Sequence, residues 1–107
     1  MTNAPTRRDF GHELRDMLFE ASRDENQSEL VVCAGNLHRR VGGYPDNTGR
    51  TNRMPMCCSV MKAEMQIGDE IIDGPPSRQG ASLTVSYRFP REHRLATIHT
   101  VVRQPRR

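Results

Sequence analysis

Residues Asn52 to Ile67 read NRMPMCCSVMKAEMQI, the most apolar stretch of the chain, and the rest is organised around it. Asn52 is a suitable N-cap, and Pro55 fits the first turn, where its missing N–H costs nothing. Gly68 supplies the stop. On a helical wheel Met54, Cys58, Met61 and Met65 form one apolar stripe, and Met56, Val60, Ala63 and Ile67 form another. Only Ser59, Lys62 and Gln66 remain as a polar strip. The expectation is a central helix over 52–67, packed on most sides, that shows this strip to solvent or to a partner.

Working back towards the N-terminus, Ala34, Leu37 and Val41 recur at helical spacing until Gly42-Gly43, which predicts a short helix over Ala34 to Arg40. The loop Gly42 to Thr51 is rich in turn residues and brings Arg50 and Arg53 to the start of the central helix. Leu30-Val31-Val32 reads as a short, largely buried strand. Before it, Phe10, Leu14, Met17, Leu18 and Ala21 line one face of a helix from Arg7 to Arg23. Thr6 and Asp9 have the spacing of a capping box at its start.

Beyond Gly68, Glu70-Ile71-Ile72 and Leu83-Thr84-Val85-Ser86-Tyr87-Arg88 read as two strands joined by a long Gly/Pro-rich tip, Asp73 to Gly80. Strict alternation puts Leu83, Val85 and Tyr87 on a buried face. The expected core is Leu14, Leu18, Leu30, Val32, Leu37, Val41, Cys58, Met61, Leu83, Val85 and Tyr87. After Phe89-Pro90, residues Thr97, Ile98, Thr100, Val101 and Val102 favour strand, but their flanks are charged. This segment is expected to be an arm, much of it disordered.

Composition sets the scale. A chain of 107 residues that is 35% hydrophobic and has no Trp supports one small domain with a thin core. The organisation expected is a flexible N-terminus at 1–6, an α+β domain at 7–90 and a basic arm at 91–107. No apolar run is long enough to span a bilayer, and the start MTNAPTRRDF has no signal-peptide character, so a cytoplasmic protein is expected. Three cysteines make no even-numbered disulfide framework, in keeping with a reducing compartment.

The net charge of +3 is unevenly spread. Residues 1–36 carry 4 basic and 7 acidic groups, whereas residues 37–68 carry 5 basic groups against Asp46 and Glu64 alone. Positive charge therefore surrounds the central helix and, through Arg103, Arg106 and Arg107, the C-terminal segment. A polyanion is expected to be met there.

The order helix, short strand, short helix, loop, helix, strand, long tip, strand resembles the winged helix-turn-helix family of DNA-binding domains over residues 7–90. The loop Gly42 to Thr51 is longer than the turn usual in helix-turn-helix units. The resemblance implies that 52–67 is a recognition helix for the major groove and that Asp73 to Gly80 is the wing, with Arg78 at its tip. The DNA-contacting set expected on this basis is Arg39, Arg40, Arg50, Arg53, Ser59, Lys62, Gln66 and Arg78. The arginines suit phosphates, while Lys62 and Gln66 suit guanine and adenine edges.

Other chemistry is less well supported. Adjacent helical residues point about 100° apart, so Cys57 and Cys58 cannot easily face one metal with Cys33 and His38, and the thiols are expected to be packing residues. His38, beside Arg39 and Arg40, is expected at or near the surface. No paired carboxylates, nucleophile elbow or phosphate loop appears, so no enzyme, cofactor or metal is expected. The DNA-binding reading is of a regulator or accessory protein that can act as a homodimer, and its alternative is an adaptor that binds another protein through the Met/Cys-rich helix and the C-terminal arm.

Overall fold

The computed structural model describes residues 4–46, 48–77 and 79–92. The elements run α1 (Arg7–Ser22), β1 (Glu29–Cys33), α2 (Ala34–Val41), α3 (Met54–Ala63), β2 (Glu70–Asp73) and β3 (Thr84–Arg88). Arg78 and residues 93–107, including the expected wing tip and arm, lie outside the described residues.

The first helix begins as its sequence dictates. The Thr6 amide donates to Asp9 Oδ2 at 2.8 Å, and the Asp9 amide donates to Thr6 Oγ1 at 3.2 Å, which completes the capping box. Pro5 is buried, so the packed structure already includes the end of the segment expected to be flexible. Phe10, Leu14 and Leu18 point inward from α1.

The three strands form an antiparallel sheet in the order β1-β3-β2. Leu30 pairs with Tyr87, and Val32 and Ile71 both pair with Val85, so these residues share the face that the helices cover. The opposite face carries Glu29, Val31, Ser86, Arg88 and Glu70, where Arg88 sits between the carboxylates of Glu29 (3.8 Å) and Glu70 (3.6 Å). Alternation along β3 thus sorts the sheet into an apolar side and a charged side.

The α2 helix starts where β1 stops. Ala34 and Gly35 donate their amides to Leu83 O and Ala81 O at 2.8 and 2.9 Å, which ties the β1–α2 junction to the approach to β3. A Cβ at position 35 would lie 3.2 Å from Ala81 O, closer than side chains normally sit. Glycine is what allows that approach.

The core comprises Phe10, Leu14, Leu18, Val32, Ala34, Leu37, Met54, Cys57, Cys58, Val60, Met61, Leu83, Val85 and Tyr87. Leu30 and Val41, expected inside, are only partly buried against it. The central helix is shorter than the expected 52–67. The N-cap is Arg53, with no side-chain cap bond, not the expected Asn52, which lies one residue earlier and accepts Met54 N through Oδ1 at 3.0 Å; the helix ends at Ala63. The reason lies in the next turn, where Asp69 Oδ2 accepts the Gln66 amide at 2.7 Å and Gln66 O accepts the Asp69 amide at 3.0 Å. With the helix stopped there, the second apolar stripe does not form: Ala63 is exposed and Ile67 projects fully into solvent.

Asp69 is held in turn by Arg91. Their buried side chains lie 2.9 Å apart, and Arg91 also donates to Glu64 O at 2.9 Å and packs 5.2 Å over the Tyr87 ring. Arg91 and Glu92, assigned by the sequence to the arm, are therefore bound to the domain. Burial pushes the Tyr87 phenol well above its ordinary pKa, assisted by the charge of Glu64, so it remains a donor. Its hydroxyl donates to Met61 O at 2.8 Å, satisfying one of the carbonyls that a helix C-terminus leaves open.

Removing this cap without changing the packing, as in Tyr87→Phe, should cost about 1–3 kcal/mol by urea unfolding, because a buried carbonyl is left unpaired. Met61→Ala, at a fully buried position, should cost about 2–5 kcal/mol.

Candidate functional site

Both ends of α3 are fixed by residues distant in sequence. At the N-terminal end His38 is 0% exposed, not superficial as its arginine neighbours suggest. Its Nε2 accepts the Arg53 amide at 2.9 Å and its Nδ1 lies 3.1 Å from Gly42 O. A backbone N–H can only donate and a carbonyl can only accept, so the proton is on Nδ1 and the ring is neutral. Phe10 meets the imidazole edge-on at 4.9 Å, and Tyr44 lies tilted against it at 5.2 Å. One ring thereby joins α1, α2, the following loop and the start of α3.

The loop before α3 is organised by Asp46. Its carboxylate accepts from the amides of Thr48 (3.0 Å) and Thr51 (2.8 Å) and lies 2.8 Å from each of their hydroxyls. These bonds, led by the Thr51 amide, hold the Asp46 carboxyl well below the usual carboxylate range. The loop delivers Arg50 to solvent and Arg53 to the half-buried N-cap of α3.

The expected contact residues divide. Arg39, exposed on α2, bonds Asn36 Oδ1 at 3.1 Å and lies 5.4 Å over the Tyr44 ring, which connects it through His38 to the start of α3. Arg53 donates to its own neighbour, Asn52 O. Ser59 and Lys62 are half-buried on α3 itself, with the Arg7 guanidinium 3.3 Å from Ser59 Oγ.

Two of the expected residues do not join them. Arg40 turns towards α1 and pairs with Glu13 at 2.7 Å. Gln66 lies beyond the helix, and its side chain holds the backbone of Glu92 through Nε2 (2.7 Å) and Oε1 (3.3 Å). Arg7, set aside in the sequence as a basic residue near the terminus, is brought to α3 by Ser59, 52 residues away, a link that no local pattern encodes.

The described cations fall into two groups. Arg15, Arg23, Arg40, Arg88 and Arg91 each have a carboxylate within 4 Å. Arg7, Arg8, Arg39, Arg50, Arg53 and Lys62 have no carboxylate partner among the described residues, and all but Arg8 are joined to α3 by the contacts above or by the short lead into it. Three acids that follow α3 or end it are paired: Glu64 is buried against Arg15 at 3.3 Å, Asp69 is locked to Arg91, and Glu70 faces Arg88; Asp46 keeps its charge, satisfied by Thr48 and Thr51. The N-terminal turn of α3 has no acidic residue and carries Arg53 at its cap. Positive charge there opposes the helix dipole and costs stability that a bound anion would restore.

The thiols are packed. Cys57 and Cys58 are 0% exposed and face Ala34 O and Gly80 O at 3.5 and 3.4 Å. Burial, with the neighbouring cysteines, pushes Cys57 up to about 12, and burial also raises Cys58. Half-buried Cys33 points at Ala81 O from 3.0 Å. Among the described residues no group of three or more His, Cys, Asp or Glu side chains is placed to hold a metal ion, and no helix is long and apolar enough to cross a membrane. Comparison with protein-family models, characterised proteins and solved structures returns no match.

Two measurements follow from this geometry. Iodoacetamide at neutral pH should modify Cys33 alone in the folded protein, and all three thiols after unfolding, as read by intact mass; rapid double or triple labelling of the native state would contradict the packing. Because the folded pKa of Asp46 is depressed, its contribution to stability is present above the ordinary value of 3.8 and is lost as pH falls below it. Asp46→Asn should therefore lower stability at neutral pH and flatten its decline between about pH 4 and pH 2.

Proposed function

We propose that this chain is a winged-helix-like domain that binds double-stranded DNA with α3 against the duplex. The observation that carries the reading is the sorting of charge: among the described residues the cations gathered at α3 lack carboxylate partners, and Glu64, Asp69 and Glu70 are each paired with an arginine. A surface with such an excess of unpaired cations attracts phosphates.

The element order α1–β1–α2–α3–β2–β3, with a hairpin following α3, supports the winged-helix form of the reading. Arg7, Arg39, Arg50 and Arg53 act on phosphates. Ser59 and Lys62 are the residues of α3 with the chemistry to meet base edges. Arg40 and Gln66 are left out because their side chains are committed within the domain. Arg78, outside the described residues, keeps the phosphate role that the resemblance implies.

The adaptor reading has a different surface to use. Met54, Cys57, Cys58 and Met61 are interior, so the Met/Cys-rich helix offers a partner little of that apolar surface. Val31 and Ile72, each about half exposed, are the apolar side chains that the sheet presents instead.

Binding to a mixed-sequence duplex, followed by fluorescence anisotropy over a range of salt, separates the two readings. The logarithm of affinity should fall linearly with the logarithm of salt, with a slope of about −4 to −5 if five cations meet phosphates. Arg50→Ala or Arg53→Ala should each flatten it by about one unit, whereas Arg40→Ala should leave it unchanged. Absence of duplex binding at low salt would reject the DNA reading in favour of the adaptor.

A further inference from the structure

We infer that β1 is a docking edge for a second copy of this chain, whose own β1 pairs with it antiparallel across a two-fold axis at Val31. The pairing uses none of the cations of α3 and is independent of the DNA-binding reading. The strand order β1-β3-β2 leaves β1 at one border of the sheet.

The register shows which backbone groups that border presents. Phe89 donates its amide to Ser28 O at 2.9 Å, and Ala34 donates to Leu83 O at 2.8 Å, one bond at each end of the β1–β3 ladder. In an antiparallel ladder alternate residues exchange bonds with the neighbouring strand, so Leu30 and Val32 direct their backbone groups at β3. Glu29, Val31 and Cys33 turn theirs outward. Gln27 Nε2 covers one of these groups, Glu29 O, at 2.9 Å. Among the described residues nothing reaches the Val31 amide or carbonyl from outside the sheet.

The two borders of the sheet differ. At β2 a bulge between Ile71 and Asp73 breaks the register, and Gly74-Pro75-Pro76 follows at once. Bulges and prolines keep an exposed edge from pairing. β1 has neither, and its register with β3 runs unbroken from Glu29 to Cys33. Its sequence ELVVC is apolar after the first residue. Val31 is 48% exposed, and Leu30 is only partly buried.

These features select a second β1 as the occupant. With the two-fold axis at Val31, the two Val31 residues face each other and exchange both of their backbone bonds. Leu30 of each copy then lies beside Val32 of the other on the helix-covered face, and Glu29 lies beside Cys33 on the outer face. Antiparallel pairing sets the two Glu29 carboxylates four residues apart along the strands, about 13 Å, whereas parallel pairing would place them side by side. Each Glu29 keeps its own Arg88 and Ser86. Charge therefore favours the antiparallel copy, and the contact is closed by its symmetry. An edge of five residues buries less than the roughly 800 Å² per partner of a standard interface, so the dimer forms only at high protein concentration.

Sedimentation equilibrium of the full chain, from micromolar to millimolar concentration, reads the association. Amide hydrogen exchange followed by NMR over the same range reads its location. The weight-average mass should rise towards that of two chains, and the Val31 amide should exchange more slowly as concentration rises. Val31→Lys, which sets two like charges opposite each other, should weaken association by about tenfold, while Ile72→Lys at the other border should leave it unchanged. Circular dichroism checks that both variants keep the fold, and the exchange measurement, made on the wild type, decides the matter even where a variant does not fold. A wild-type chain that stays monomeric to millimolar concentration would overturn the second copy as occupant. A dimer in which the Val31 amide exchanges as it does in the monomer, or one that Ile72→Lys disrupts, would overturn β1 as the edge.

Discussion

The neutral imidazole of His38 is the contact on which the arrangement of the helices depends. It takes the Arg53 amide at the N-cap of α3, gives its own proton to Gly42 O at the end of α2, and is enclosed by Phe10 of α1 and Tyr44 of the loop. Three helices and a connecting loop are therefore referred to one ring. In an interior this small an apolar side chain could fill the volume, but it could not satisfy the N-cap amide of Arg53 and the C-cap carbonyl of Gly42 together. The orientation of α3 relative to the other helices follows from that pairing.

The opposite end of α3 is held by different chemistry. Tyr87 caps the Met61 carbonyl, Arg15 meets Glu64, and Arg91 closes over Asp69 and Glu64 O. These groups consume the charges that would otherwise accompany α3 on its exposed side. The same contacts that give the helix a fixed place take up carboxylates, and among the described residues Arg7, Arg39, Arg50, Arg53 and Lys62 have no carboxylate partner. Stability and the proposed binding surface thus have a common origin in how the ion pairs are distributed.

Features set by near neighbours were legible in the sequence. The Thr6–Asp9 capping box is an i, i+3 exchange, and the alternation of Leu83, Val85 and Tyr87 requires only the strand period. The central helix was placed correctly but drawn too long, because its stop is an Asp69 carboxylate held by an arginine 22 residues further on. His38 was misplaced for a related reason. Flanking arginines suggested a surface, yet Ala34, Leu37, His38 and Val41 lie at helical spacing on one face, and that pattern was available. Within the candidate site, Arg39, Arg50, Arg53, Ser59 and Lys62 were read as a group from local charge. The diversion of Arg40 to Glu13 and of Gln66 to Glu92 depends on contacts 27 and 26 residues apart, which no local pattern encodes.

The surface proposed to meet nucleic acid is the face of the molecule built on α3. Titrating isotopically labelled protein with a mixed-sequence duplex, while following backbone amide shifts by NMR, addresses it residue by residue. The account predicts that the largest perturbations among the described residues fall at Arg7, Arg39, Arg50 and Arg53 and along Met54–Ala63, with the outer sheet face at Glu29, Val31 and Ser86 little changed. Perturbations concentrated on Val31, Ser86 and Ile72, with α3 silent, would contradict it.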